Sequence, residues 1–204
     1  LIVADSMFFP FITGKNFAFR GIVEIISGAW ILLALLDARY RPRFSHILTA
    51  LSALLIVMFA ANVLGEYPFK SFWSNFERMD GYVTLVHFFL FAVVLGSTFQ
   101  SNRKLWVGLL WTTVAAAGWS AFNGLQQSMS GLYRVDSTLG NAAYMAVYML
   151  FNVFFAIYLA LSSRQWWTRT IAVLLFFLFV SVLLLTSTRG TFLGLLAGLG
   201  VIVV

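Results

Sequence analysis

The sequence predicts an all-α integral membrane protein, a polytopic bundle of about seven to eight transmembrane helices. Three observations predict it. Hydrophobic residues make up 61% of the chain and charged residues only 10%, whereas soluble domains carry about 25% charge. Apolar runs of about 20 residues, the length that crosses a bilayer, recur along the chain. Hydrophobicity inside those runs is near-continuous and does not alternate at period two, which favours helices over barrel strands.

The spans follow in order. Residues 1–13 read as the end of a truncated span, and 18–36 (AFRGIVEIISGAWILLALL) form the next. Further spans are expected at 46–64 (HILTALSALLIVMFAANVL), 81–100 (GYVTLVHFFLFAVVLGSTFQ), 105–124 (LWVGLLWTTVAAAGWSAFNG) and 141–162 (NAAYMAVYMLFNVFFAIYLALS). The last two, 170–187 and 190–204, are divided by the sequence TSTRG. The chain opens on Leu1 and stops inside the apolar run GLLAGLGVIVV. It is therefore read as a single transmembrane domain, 1–204, truncated at both ends.

The connections alternate in character. DARYRPRF, SNRK and SSRQWWTR are short and carry seven basic residues (Arg39, Arg41, Arg43, Arg103, Lys104, Arg164, Arg169) against one acid, Asp37. GEYPFKSFWSNFERMD, LQQSMSGLYRVDSTLGN and TSTRG are mixed. The positive-inside rule assigns the first set to the cytoplasm and the second to the outer face. Trp106, Trp166 and Trp167 fall beside the cytoplasmic charges, where interface anchors belong.

Some chemistry lacks its residues here. The chain has no cysteine and two histidines, so disulfides, thiolates and a transition-metal cluster are not expected. Nucleotide-phosphate loops, serine-nucleophile elbows and HExxH are missing from the sequence, and no nucleic-acid partner is expected. His87 lies inside a span and His46 at the end of one; both read as structural.

The outer set carries Lys70, Arg78, Arg134 and Arg189, with Lys15 and Arg20 nearby. Lys15 and Lys70 read as solvated. Arg20 and Glu24 stand at i, i+4 and can pair along one helix. Arg78 has Glu77 and Asp80 close by, so structural pairing and ligand binding both stay open. Arg134 precedes Ser137, Thr138, Gly140 and Asn141 at a helix start, where an N-cap and an anion site are compatible readings. Arg189 is the only charged residue from Thr170 to Val204. A lone arginine there snorkels, finds a distant carboxylate, or faces a ligand, and guanidinium suits bidentate phosphate recognition. Gly190, Gly194 and Gly198 form a small-xxx-small series read as tight helix packing.

Three stretches resemble the bacterial O-antigen ligase and polymerase family of membrane glycosyltransferases: FWSNFERMDGYVTLVHFF at 72–89, YRVDSTLGNAAYMAVYML at 133–150 and LLLTSTRGTFLGLLAG at 183–198. The second is similar to the family pattern R-x-x-G-T-[FL]-G-N-P-N-x-x-[AG]-x-Y, with Ser137 in place of the first Gly and Ala142-Ala143 in place of Pro-Asn. The third is similar to [TS]-x-S-R-G-[AT], with Thr188 where Ser is usual. The resemblance implies an undecaprenyl-diphosphate-linked glycan as donor and a glycan, lipid A-core or protein acceptor whose hydroxyl attacks the anomeric carbon. It implies the bacterial inner membrane, a periplasmic active face and no metal or other cofactor. By motif, Arg134 and Arg189 are the diphosphate ligands that carry catalysis, and Arg78, Gly140, Asn141 and Thr188 contribute to binding. The family's catalytic histidine lies in a loop after the S-R-G helix, beyond Val204, so the fragment alone is expected to be inactive. A transporter or flippase for an anionic or lipid-linked solute is the alternative, and a membrane scaffold is a third reading that leaves Arg189 unexplained.

Overall fold

A computed structural model describes residues 9–75, 79–100 and 102–203. Among them are eight α-helices and no strand. Six helices are long and apolar enough to cross a membrane, so this is an all-α, multi-pass membrane protein. Contacts group the chain into two compact units, Ile2–Arg103 and Lys104–Val204.

The first unit holds α1 (Thr13–Leu36), α2 (His46–Leu64), α3 (Pro68–Trp73) and α4 (Tyr82–Phe99). α1 and α4 run parallel, because their cross-contacts keep a near-constant offset: Asn16 meets Asp80, Arg20 meets Thr84 and Glu24 meets His87. α2 is apolar all round and buries none of its residues, the character of a helix solvated by hydrocarbon. Its link to α4 is the Tyr82 hydroxyl, which donates to the Leu55 carbonyl at 3.1 Å. The short α3 begins with Pro68, whose missing N–H is harmless at that position. Phe59, Phe72 and Tyr82 form an aromatic cluster with centroids 5.3–5.8 Å apart. α1 ends at Asp37, whose carboxylate accepts from the Arg39 guanidinium and backbone N–H. Those bonds, the side-chain one foremost, hold the Asp37 carboxyl below its ordinary range.

The second unit holds α5 (Arg103–Met129), α6 (Ala142–Ser162), α7 (Trp166–Leu185) and α8 (Arg189–Val203). Its core is built from Ala117 and Ala121 of α5, Met145, Met149 and Val153 of α6, and Phe179, Val182 and Leu183 of α7. Small residues let backbones approach, as they do where dispersion packing drives helix association. A methyl added at Gly194 would stand 3.3 Å from Leu150 Cδ2, and one at Gly198 would run into the Phe154 ring. Gly190, in contrast, faces open space.

The observed helices follow the expected spans, with differences at their ends. The expected span end at 1–13 lies largely outside the described residues. α1 begins at Thr13 and α7 at Trp166, five and four residues before the expected starts. α3 is an additional short helix. α5 continues to Met129, more than a turn past the expected end at 124. Leu, Gln and Met are good helix formers, so the polar LQQSM segment prolongs the helix until Gly131, at φ 89°, ends it.

Candidate functional site

The second unit builds its site from two polar segments that meet. The first is 132–141, between α5 and α6. Its anchor is Val135, fully buried, which fits against Gly124, where an added Cβ would lie 2.9 Å from Val135 Cγ1. The Val135 N–H reaches the Leu185 carbonyl at the end of α7 at 3.5 Å. Arg134 and Asp136 flank this peg and go separate ways.

Asp136 is taken by Gln127, on the last turns of α5. Gln127 Oε1 accepts from the Ser137 N–H at 2.7 Å and the Asp136 N–H at 3.3 Å, while its Nε2 donates to Asp136 Oδ1 at 3.1 Å. Ser137 then donates its hydroxyl to the Ser120 carbonyl at 2.6 Å. The segment closes with Gly140 in the left-handed conformation, φ 68°. Asn141 caps α6 by accepting from the Ala143 N–H at 2.8 Å.

The second segment is Thr186-Ser187-Thr188, the turn joining α7 to α8. Ser187 is left-handed, φ 53°, and breaks the helix. Thr186 is buried, and its carbonyl accepts from Arg134 Nε at 3.4 Å and from the Thr188 hydroxyl at 3.3 Å. Arg189 is the first residue of α8 and is exposed. Neither Arg134 nor Arg189 pairs with an acid among the described residues. Beside the turn lies an open cleft of about 470 Å³, walled by Leu184, Phe192 and Leu193 and rimmed by Ser187, Thr188 and Arg189.

This cleft is amphipathic, with an apolar trough and a polar, cationic rim. The rim coincides with a helix N-terminus, where unpaired backbone N–H groups and the dipole present positive potential. A cation is disfavoured there, so Arg189 adds to a field that attracts an anion.

No protein-family model, curated protein or solved structure matches the chain. Arg134, Gly140, Asn141, Thr188 and Arg189 all fall in these two segments. Gly140 supplies a backbone turn and Asn141 a cap, while Thr188 and Arg189 face the cleft. Arg78 lies outside the described residues.

In the first unit, the structure corrects the expected pairing of Arg20 with Glu24. Arg20 donates across to the Met79 carbonyl and the Thr84 hydroxyl of the neighbouring segment. Glu24 meets His87 Nε2 at 3.2 Å instead. Side chains projecting from α4 offer both residues a buried partner that an i, i+4 neighbour on a helix surface does not. His87, read from the sequence as structural, has Glu24 as its partner. Gln127 was also missed as a site residue; the signal available was a glutamine nine residues ahead of an aspartate across a turn, which becomes meaningful only once α5 is seen to reach it.

Proposed function

We propose that this chain forms the donor-binding part of a membrane glycosyltransferase of the O-antigen ligase type. It would transfer a glycan from undecaprenyl diphosphate to an acceptor hydroxyl at the periplasmic face of the bacterial inner membrane. The observation that carries the reading is the cleft: apolar walls for a polyprenyl chain meeting a rim where Arg189, without an acidic partner among the described residues, stands at a helix N-terminus.

Arg134 supports the same reading. Its Nε is held at the Thr186 carbonyl, three residues before Arg189, and three residues span at most about 11 Å. The two arginines therefore belong to one turn region, and the proposal is that both side chains turn to one diphosphate. In the reaction the acceptor oxygen bonds to the anomeric carbon as the bond to the diphosphate oxygen breaks, and the acceptor proton passes to a base. The departing diphosphate gains negative charge, which prepositioned guanidinium groups stabilise more in the transition state than in the ground state. Asp136, the nearest acid in sequence, is engaged by Gln127 and leaves Arg134 un-neutralised.

The test is binding of undecaprenyl diphosphate to the protein in nanodiscs, with neutral undecaprenol as the control. Arg134→Ala and Arg189→Ala should each weaken diphosphate binding about 10- to 100-fold, the loss of a charge-assisted hydrogen bond worth roughly 1.5–3 kcal/mol. Arg189→Lys should restore it only in part, because an ammonium lacks the planar fork. Undiminished binding in both alanine variants would overturn the proposal. A second reading, a transporter or flippase for an anionic or lipid-linked solute, is favoured by one observation: Glu24 and His87 form an ionisable pair along two span-length helices. Translocation of the labelled lipid without glycan transfer would select it.

A further inference from the structure

At the α1–α4 seam the His87 ring, 11% exposed, meets the carboxyl of Glu24, whose side chain is 68% exposed. His87 is buried, and its Nδ1 lies 2.7 Å from the Val83 carbonyl oxygen. A carbonyl has no hydrogen to give, so Nδ1 carries the hydrogen and donates. The other ring nitrogen, Nε2, lies 3.2 Å from Glu24 Oε1. With Nδ1 protonated, a neutral ring turns a lone pair from Nε2 toward that oxygen. An ionised carboxylate would then oppose lone pair to lone pair. The contact is attractive only with a hydrogen between the two atoms, on the ring as imidazolium or on the carboxyl.

We infer that His87 and Glu24 together form a proton-binding site in the membrane-spanning part of the first unit, and that its proton fastens α1 to α4. Glu24 is the twelfth of the 24 residues of α1, about 17 Å along the helix from its first residue at 1.5 Å per residue. Releasing the proton leaves a net negative charge within the span, where charge is costly. It also replaces a hydrogen bond with a repulsion, so the seam loosens at that height.

The surroundings are specific. On α1, Arg20 stands one turn before Glu24, but its guanidinium is directed to Met79 and Thr84; Lys15 lies a further turn back. Ahead of α4, Asp80 accepts from Asn16 at 2.9 Å. Tyr82 gives its hydroxyl to the Leu55 carbonyl of α2. α2 itself carries no ionisable side chain but His46, at its first residue, and α3 carries only Lys70. Asp37 and Arg39 pair with each other at the far end of α1. Among the described residues of these helices, no second acid competes for the His87 ring.

The chain's two histidines make the test direct. Isotope-labelled histidine is observed by nuclear magnetic resonance with the protein in nanodiscs at neutral pH, and the spectrum lost on His87→Gln in the His46→Gln background assigns the His87 ring. The expected spectrum has Nδ1 protonated together with one further proton at the pair, seen as a doubly protonated ring or, with labelled glutamate, as a protonated Glu24 carboxyl. Glu24→Gln should lose that proton and leave a neutral ring with Nδ1 protonated, its Nε2 accepting from the new amide. A bare Nδ1 in the parent spectrum, or a singly protonated ring beside an ionised Glu24, would overturn the proposal. If Glu24→Gln does not fold, the parent spectrum decides alone. Neither outcome bears on diphosphate binding by the second unit.

Discussion

The two units treat their charged side chains in opposite ways. Along α1 and α4, Asn16, Arg20 and Glu24 each meet a polar group of the other segment, Asp80, Thr84 and His87 respectively. In the second unit, among the described residues, Arg134 hydrogen-bonds a backbone carbonyl and pairs with no acid, Arg189 is exposed, and Asp136 is engaged by a glutamine. Charges that close on one another serve packing, since a polar group left alone in hydrocarbon is heavily penalised. Under the proposed function, cations left without an acidic partner among the described residues, at a helix N-terminus beside an apolar cleft, would serve a ligand that arrives from outside the chain. The contrast thus separates a structural use of charge from a receptive one.

The largest expected effect breaks the contrast in the first unit. Arg20→Ala removes the hydrogen bonds to Met79 and Thr84 and leaves both acceptors without that partner. It should lower unfolding free energy by about 1.5–3 kcal/mol, the range for hydrogen bonds to charged groups. Arg189→Ala should change it by less than about 0.5 kcal/mol, as exposed substitutions do. Reversible unfolding in mixed micelles checks both. Equal losses would mean that Arg189 has a structural role and the distinction fails.

Next in size is Gln127→Ala. Three hydrogen bonds to Asp136 and Ser137 disappear, and a loss of about 1–3 kcal/mol is expected for buried groups left unpaired. The sharper readout is ligand binding. Asp136, once released, stands two residues from Arg134 and can neutralise it, so undecaprenyl-diphosphate binding should weaken although Gln127 touches no ligand. The double variant Gln127→Ala with Asp136→Asn should recover binding without recovering stability. If the double variant binds as poorly as the single one, Gln127 acts only through the fold.

Which parts of this were legible in the sequence follows from the range of the interactions. Spans were legible because bilayer thickness forces long apolar runs, and α2, predicted at 46–64, is observed at His46–Leu64. Isolation of Arg189 was legible because no acid lies near it in the chain. The partner of Glu24 was not, because His87 is 63 residues away and only helix pairing brings it close. The end of α5 was missed for a subtler reason: LQQSM is polar enough to suggest a loop, yet its residues sustain a helix. That single extension puts Gln127 where it can grip Asp136, so an error of one turn concealed the organisation of the Arg134 segment.

Ser137→Gly should have the smallest effect and is the most diagnostic of the local backbone. Ser137 adopts φ 52°, a left-handed conformation that costs a non-glycine residue roughly 1–2 kcal/mol. Glycine removes that strain but loses the Ser137 hydroxyl bond to Ser120, worth about 0.5–1.5 kcal/mol, and adds freedom to the unfolded chain worth about 0.4–1 kcal/mol. The terms oppose each other, so stability should shift by less than about 1 kcal/mol. The motif that 133–150 resembles has glycine at this position, which fits a backbone requirement met here by a serine with a compensating bond. Ser137→Ala separates the two terms: it keeps the strain, drops the hydroxyl, and should be the less stable variant. If Ser137→Ala equals or exceeds Ser137→Gly in thermal stability, the left-handed turn is not what the position demands.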